Sequence, residues 1–158
     1  MKHSSSPDSI ALTKSQVALV EEYARLHEMG GMQPAMAKII ALLFMSDEVE
    51  LTFDQIQQTL ALSKSGTSQA INQLLATRRI KYKTRLGDRK RYFYVPLSEW
   101  KSTVVEHFEG VAALAALNKR ILSERSANNK EFNKSLREMT DFLAEVHKVL
   151  SQMLVKKG

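Results

Sequence analysis

The chain of 158 residues contains no cysteine, which excludes disulfides, a thiol nucleophile and any metal site built on cysteine. This absence is typical of proteins from a reducing compartment. The sequence has no run of about 18 apolar residues that could span a bilayer, and residues 1–9 lack the apolar segment of a secretory signal. We therefore expect a cytoplasmic protein that does not associate with membranes.

Motifs of common enzyme classes are also missing, because the sequence has no Gly-rich phosphate loop, no nucleophile elbow and no kinase motif. Paired carboxylates such as Glu21 and Glu22 fit a solvated helix surface. The four histidines lack metal-ligand spacing: His3, His27, His107 and His147. We expect a protein that is not an enzyme and that has no catalytic residues, no metal site and no cofactor.

The positive charge is concentrated in one segment. Eight basic residues and the single acidic residue Asp88 lie between Arg78 and Arg91, so this segment carries +7 in a chain whose net charge is +6. A local basic cluster favours a polyanionic partner, with an ordinary solvated loop as the alternative. Four acidic residues without a basic neighbour in the sequence precede it: Asp47, Glu48, Glu50 and Asp54.

Helix start and stop signals divide the N-terminal half of the chain. Thr13 with Gln16 forms a capping box for a helix that should run to about Met29, where Gly30 and Gly31 end it. Pro34 suits the first turn of a second helix, which should end near residue 46. The nearly continuous apolar run from 39 to 45 predicts that this second helix is the buried centre of the domain.

A helix-turn-helix is predicted next. Thr52 with Gln55 forms another capping box, Leu51 suits a short strand, and Ser63 is a plausible N-cap for the following helix. The outer side of that helix is small and polar, which suits the major groove of DNA, although a solvated face is the alternative. The candidate DNA-contacting residues are Ser63, Lys64, Ser65, Gly66, Thr67, Ser68, Gln69, Asn72 and Gln73.

A basic hairpin follows this helix. Residues 80–85 alternate in polarity, which predicts a half-buried strand with Ile80, Tyr82 and Thr84 toward the core. A turn at 86–89 leads to an aromatic return strand, in which Phe93, Val95 and Leu97 should face the core, with the opposite parity of Tyr92 and Tyr94 as the alternative. Basic residues at such a hairpin can reach phosphates or the minor groove. The candidate DNA contacts of this wing are Lys81, Lys83, Arg85, Arg89, Lys90 and Arg91.

The C-terminal third is predicted to be helical. Ser98 can cap a long helix that ends near residue 123, and a break at 126–129 precedes a final helix with an apolar heptad seam. The seam consists of Phe132, Leu136, Met139, Leu143, Val146, Leu150 and Met153. Since such a seam needs a helical partner, we expect both ends of the chain to build a homodimer; the alternative is an intramolecular helical hairpin.

The predicted fold class is mainly α with a small β-hairpin wing, a winged helix-turn-helix flanked by N- and C-terminal dimerisation helices. The expected divisions are a flexible arm at 1–12, an N-terminal dimerisation helix at 13–33, a DNA-binding lobe at 34–97 and a C-terminal dimerisation region at 98–158.

The segments from Leu62 to Leu74 and from Gly87 to Tyr92 resemble the winged helix-turn-helix of MarR-type bacterial transcription regulators, particularly the GbsR-like branch. The resemblance extends over about residues 34–97. It implies a homodimer on a pseudo-palindromic operator, with the helix from Ser63 in the major groove and the Arg89 turn at the minor groove. The return strand from Arg91 to Tyr94 is more aromatic than the common form of the wing.

The resemblance also implies a small-molecule effector, which in the GbsR-like branch can be a small cationic osmolyte. Tyr23, Trp100 and Phe108 could form an aromatic box for such a cation, but aromatic residues on a helix stripe are more often part of the core. The sequence thus predicts a DNA-binding transcriptional regulator. The alternatives are a winged-helix module that docks a protein without binding DNA, and an RNA-binding domain.

Overall fold

The computed structural model describes residues 9–155, which form two compact units that meet in sequence between Leu97 and Ser98. The structure is 69% helical and has one three-stranded antiparallel sheet. This architecture confirms the predicted mainly α fold with a small β wing, while the dimerisation role of the flanking helices stays a prediction. None of the helices within the described residues combines the length and the apolar character that a membrane span requires.

Two helices begin the N-terminal unit, α1 at Lys14–Met29 and α2 at Pro34–Met45. The predicted capping box at Thr13 is present, and Pro34 occupies the first turn of α2. The two helices pack through small side chains, since Val20 and Ala24 lie in one buried cluster with Ala37 and Ala41. Half of the residues of α2 are buried, which confirms its predicted central position: Ala37, Ile39, Ile40, Ala41, Leu42 and Leu43.

A helix-turn-helix follows a short strand, with β1 at Leu51–Thr52, α3 at Phe53–Thr59 and α4 at Lys64–Ala76. The predicted capping box of Thr52 with Gln55 is present. In the tight turn between the helices, Ala61 has a positive φ of 50°. The Gln57 side-chain amide donates to the carbonyl of Leu62 at 2.6 Å and holds this turn closed.

The wing consists of β2 at Lys81–Thr84 and β3 at Arg91–Tyr94, and the strand order is β1-β3-β2. Phe93 is opposite both Leu51 and Tyr82 in the antiparallel register. Its fully buried ring joins the main core of the unit. The other fully buried large apolar side chains of that core come from the helices and their flanks: Ile39, Leu42, Leu51, Ile56, Ile71, Leu74 and Ile80.

The burial predicted for the wing is only partly right. Ile80 and Phe93 are buried, but Tyr82 is 47% exposed and Thr84 is exposed, because β2 is an edge strand that projects beyond the core. Leu97 is also exposed rather than part of the core. The chain has left the sheet at Tyr94 and enters a 3-10 turn at Leu97–Glu99, which ends the alternation of the strand.

The predicted flexible arm needs a correction at its C-terminal end. The backbone N–H of Ile10 donates to the hydroxyl of Thr59 at 2.8 Å, and Ile10 and Leu12 pack against the core. The apolar side chains of Ile10 and Leu12 explain this attachment, because their packing against the core removes apolar surface from water. Residues 1–8 of the arm lie outside the described residues.

The C-terminal unit is a pair of helices, α5 at Trp100–Glu124 and α6 at Lys130–Val155, which pack against each other. Ser98 does not cap α5, because it lies within the 3-10 turn and Glu99 takes the N-cap position. Arg125 and Asn133 fix the connection, since the guanidinium Nε donates to the Asn133 side-chain oxygen at 2.7 Å. The contact residues include two fully or largely buried polar side chains, Asn118 and Thr140.

Candidate nucleic-acid interface

The N-terminus of α4 is held by two local hydrogen bonds. The Ser63 hydroxyl accepts from the backbone N–H of Gly66 at 3.1 Å, which confirms Ser63 as the N-cap. The Thr67 hydroxyl donates to the carbonyl of Ser63 at 2.9 Å, and Thr67 is fully buried. The sequence predicts Thr67 as a DNA contact, but its burial one turn into the helix excludes direct access to a base or phosphate.

Gly66 has a local structural role. A Cβ at this position would lie 3.0 Å from the Ser63 hydroxyl oxygen, tighter than most contacts of real Cβ atoms. Gly66 therefore leaves room for the same hydroxyl that caps its own N–H. The sequence-based interpretation, in which this glycine allows the backbone to approach DNA, stays a prediction.

The outer face of α4 is polar and open. Its inner face is buried through Thr67, Ala70, Ile71 and Leu74. On the other side, six residues line a shallow depression on the surface: Ser65, Ser68, Gln69, Asn72, Gln73 and Ala76. The structure thus brings together five of the predicted contacts, and four of these five are exposed.

Gln73 differs from the other members of this face because it is half-buried. Its side-chain oxygen is buried without a hydrogen-bond partner among the described residues. Gln73 also lines a cavity of about 610 Å³ behind the helix, together with His27, Met36 and Arg79. In that cavity, burial and the nearby Arg79 charge lower the pKa of His27. Gln73 therefore lies at the rim of the outer face rather than at its centre.

The wing cations fall into two groups. Lys83 and Arg85 both form ion pairs with the carboxylate of Glu50, whose side chain is only 14% exposed. The sequence around Glu50 suggests an acidic residue without a basic neighbour. In the structure, however, Glu50 has two basic partners. It lies 35 residues from Arg85 along the chain. The pairing of β1 and β2 with the same central strand, β3, brings these residues together.

A second cluster orders the tip of the wing. The Asp88 carboxylate accepts from the Tyr92 hydroxyl at 2.5 Å and from the backbone N–H of Lys90 at 2.9 Å. These two hydrogen bonds, with that of Tyr92 the larger influence, lower the pKa of Asp88. Arg85 lies 3.9 Å from the centre of the Tyr92 ring, so the tip is connected to the ion pairs of Glu50.

The remaining predicted wing contacts are arranged differently. Arg89 and Lys90 are exposed, and neither forms an ion pair with a described residue. Arg91 is exposed and lies on the same face of the sheet as Phe93, with its guanidinium group 5.2 Å from the centre of the Tyr82 ring. Lys81 is half-buried and interacts with other groups of the protein. Arg89, Lys90 and Arg91 are thus exposed cations that form no ion pair with a described residue, and Arg89 and Lys90 are the two of them at the tip of the hairpin.

The residues of the predicted aromatic box lie in different units. Tyr23 belongs to the N-terminal unit, where its ring lies 4.8 Å from His27 and 5.2 Å from Phe44. It lines an apolar cavity of about 260 Å³ between α1 and α2. Trp100 and Phe108 belong to α5, and Trp100 is 54% exposed. The box therefore stays a prediction. No group of three or more metal-ligating residues occurs in the part of the chain that is described.

Comparison with known proteins identifies the fold. The crystal structure of a transcriptional regulator is similar, with a TM-score of 0.71, 22% sequence identity, and coverage of 90% of this chain and 97% of that chain. Structures of two mutants of MepR from S. aureus have TM-scores of 0.42, identities of 16% and 17%, and coverage of 86% of this chain and 99% of theirs. No family model and no curated protein sequence matches the chain. The chain thus has the fold of a known transcriptional regulator.

The ion pairs of Glu50 predict that the stability of the wing depends on pH. Hydrogen bonds from Lys83 and Arg85 lower the pKa of Glu50, so this carboxyl should stay charged below the usual range of glutamate. Stability from these pairs is then present above the unfolded pKa of about 4.5 and is lost as the pH falls through the lower folded pKa. A carbon-detected NMR titration of the Glu50 carboxyl should show this depressed pKa.

In this titration, the double variant Lys83→Gln/Arg85→Gln should return the pKa of Glu50 toward its ordinary value. Arg89→Gln is the matched control, because it removes a cation of the same hairpin that is not paired with Glu50. An equal pKa of Glu50 in the wild-type protein and the double variant would show that the ion pairs do not persist in solution.

Proposed function

We propose that this protein is a DNA-binding transcriptional regulator that inserts α4 into the major groove and places the wing beside it. The observation that carries the proposal is the open polar face of α4, formed by Ser65, Ser68, Gln69 and Asn72, next to an exposed basic hairpin. Amide side chains on such a face can pair with adenine, and hydroxyls can reach bases or phosphates. The similarity of the fold to a transcriptional regulator supports this function.

We further propose that the protein belongs with MarR-type regulators and is similar to their GbsR-like branch. The sequence support is the helix from Ser63 and the wing motif from Gly87 to Tyr92. In this proposal, the tip residues Arg89 and Lys90 reach the minor groove or its phosphates. The protein acts in the cytoplasm as a regulator and not as an enzyme.

The proposed active form is a homodimer, and the support is a second apolar side on the C-terminal helices. Helix periodicity divides α6 into three sides. One side packs on α5 and includes Leu136 and Thr140, and a second side is polar and includes Arg137 and Asp141. The third side is apolar. The third side leaves five large side chains of α6 exposed: Phe132, Met139, Phe142, Val149 and Met153.

The apolar side continues onto α5. The polar residues Lys119 and Ser123 of α5 lie with Arg137 and Asp141 around one groove, which fixes the polar side of the helix pair. In an antiparallel helix pair, the sides of the two helices that face away from this polar groove form one common surface. On that surface α5 exposes three aliphatic residues: Leu114, Leu117 and Ile121. An apolar surface of this extent on both helices favours burial against a second copy of the chain.

The proposed division of labour follows from these surfaces. Residues 34–97 bind DNA, while 13–33 and 98–158 contribute to the dimer. A small-molecule effector that changes the spacing of the two DNA-binding lobes would regulate binding. The proposed ligand is a small cation, and its support remains the resemblance and the ability of aromatic rings to bind cations.

The alternatives make different predictions in one competition experiment. A protein-docking wing would more often expose apolar side chains, and this hairpin exposes Leu86 and Tyr82 as well as the cations Arg89 and Lys90, so the competition experiment decides. Labelled duplex DNA should be displaced by unlabelled duplex DNA at lower concentrations than by RNA or heparin. Equal displacement by RNA would favour an RNA-binding domain, and a failure to bind any of the three polyanions would favour a protein-docking module.

Replacement of Arg89 by Ala should weaken binding to duplex DNA with a shallower salt dependence. Loss of one phosphate contact lowers the slope of log affinity against log salt by about 0.9. Fluorescence anisotropy at several salt concentrations measures this slope. Arg137→Ala on α6 is the control for general loss of charge, and it should leave the slope unchanged. An unchanged slope for Arg89→Ala would remove Arg89 from the interface.

Replacement of Phe142 by Lys should shift the protein from dimer toward monomer, because a charge would then lie in the proposed apolar interface. Sedimentation velocity over a range of protein concentrations measures this shift. Gln152→Lys introduces the same charge on the exposed polar side of α6 and should leave the dimer intact. A wild-type protein that remains monomeric at all concentrations would contradict the proposed dimer.

A further inference from the structure

Glu50 lies on the outer face of the sheet, together with the two cations that it binds. Glu50 immediately precedes β1, and its ion pairs with Lys83 and Arg85 place its carboxylate on the face of the sheet that carries Tyr92. Lys83 is the other cross-strand partner of Tyr92 and therefore lies on the same face. Leu51 and Phe93 point to the opposite, buried face.

The two cations reach Glu50 across the central strand. Because β3 lies between β1 and β2, Lys83 of β2 and Arg85, which follows β2, must pass over β3 to meet Glu50, which precedes β1. They pass over tyrosine rings, with the Lys83 ammonium 6.0 Å from the centre of Tyr94 and the Arg85 guanidinium 3.9 Å from the centre of Tyr92. Each cation is thus held by a carboxylate and lies near a π face.

We propose that Glu50 withholds Lys83 and Arg85 from DNA phosphates, so that these two cations shape the wing while Arg89 and Lys90 at its tip contact DNA. This inference rests on the proposed function and assigns separate roles within one basic hairpin. The Glu50 carboxylate occupies the cations in the way that a phosphate would, and thereby limits the affinity of the protein for any duplex.

The geometry gives the physical reason. A phosphate that approached Lys83 or Arg85 would have to displace the carboxylate and would meet its negative charge at close range. Arg85 would also have to leave the ring of Tyr92. The Tyr92 hydroxyl donates a hydrogen bond to the Asp88 carboxylate, which holds this ring in place. Arg89 and Lys90 have no ion pair to break among the described residues, so their contact with phosphate needs no such exchange.

Salt titrations of the full-length protein on a mixed-sequence duplex test this assignment. In the wild-type background, Lys83→Gln and Arg85→Gln should leave the slope of log affinity against log salt unchanged. Glu50→Gln should steepen the slope by about 1.8, for two new phosphate contacts, which corresponds to roughly a tenfold greater loss of affinity between 50 and 200 mM salt. In the Glu50→Gln background, Lys83→Gln should then lower the slope by about 0.9.

Glu48→Gln is the matched control, since Glu48 lies two residues from Glu50 in the sequence but accepts from the neutral Gln55 amide at 3.1 Å. It removes the same charge and should leave the slope unchanged. The proposal is overturned if Lys83→Gln or Arg85→Gln lowers the slope in the wild-type background, or if Glu50→Gln weakens binding or behaves like Glu48→Gln. The Lys83 and Arg85 variants in the wild-type background test the proposal even if Glu50→Gln does not fold.

A different result would identify a failure of the proposed function itself. If the wild-type protein binds no duplex, the regulator proposal fails and this inference fails with it. If the wild-type protein binds with a steep salt dependence but the Lys83 and Arg85 variants lose slope, the function stands and only the role of Glu50 is wrong.

Discussion

Burial of Phe93 is the constraint on which the geometry of the interface depends. Its ring lies at the centre of a three-stranded sheet and in the same core as Ile56 of α3 and Leu74 of α4. The backbone pairs Phe93 with Leu51 on one side and Tyr82 on the other. One side chain thus connects the wing to the helix-turn-helix, so that a polar helix face and a basic hairpin are attached to one core.

The same strand has opposite roles on its two faces. Phe93 points into the core, while Tyr92 and Tyr94 point outward. The side chains of Arg85 and Lys83 lie over these two tyrosine rings and pair with Glu50. This arrangement explains why a strand of an exposed wing is rich in aromatic residues. It also means that the charge of the hairpin is not uniform, because Lys83 and Arg85 are paired with Glu50, whereas Arg89 and Lys90 at the tip form no ion pair with a described residue.

Local signals are sufficient to predict most of the fold. Capping residues Thr13, Thr52 and Ser63 mark three helix starts correctly, because each cap depends on side chains within one turn of the helix. The partners of Glu50 could not be predicted, since they depend on a strand register set by distant residues. Helix periodicity places Thr67 on the inner side of α4 with Ile71 and Leu74, so its assignment as a DNA contact is wrong. Its hydroxyl is satisfied within its own helix, which allows a polar residue to join the core.

Selection of duplexes from a random DNA pool by the wild-type protein tests the central claim most directly. We expect enrichment of a pseudo-palindromic sequence whose two half-sites are separated by about one helical turn, or about 10 base pairs, because two copies of α4 would enter successive major grooves. Enrichment of a single unpaired site would contradict the paired arrangement. No enrichment of any sequence after repeated rounds would contradict base readout by Gln69, Asn72 and their neighbours.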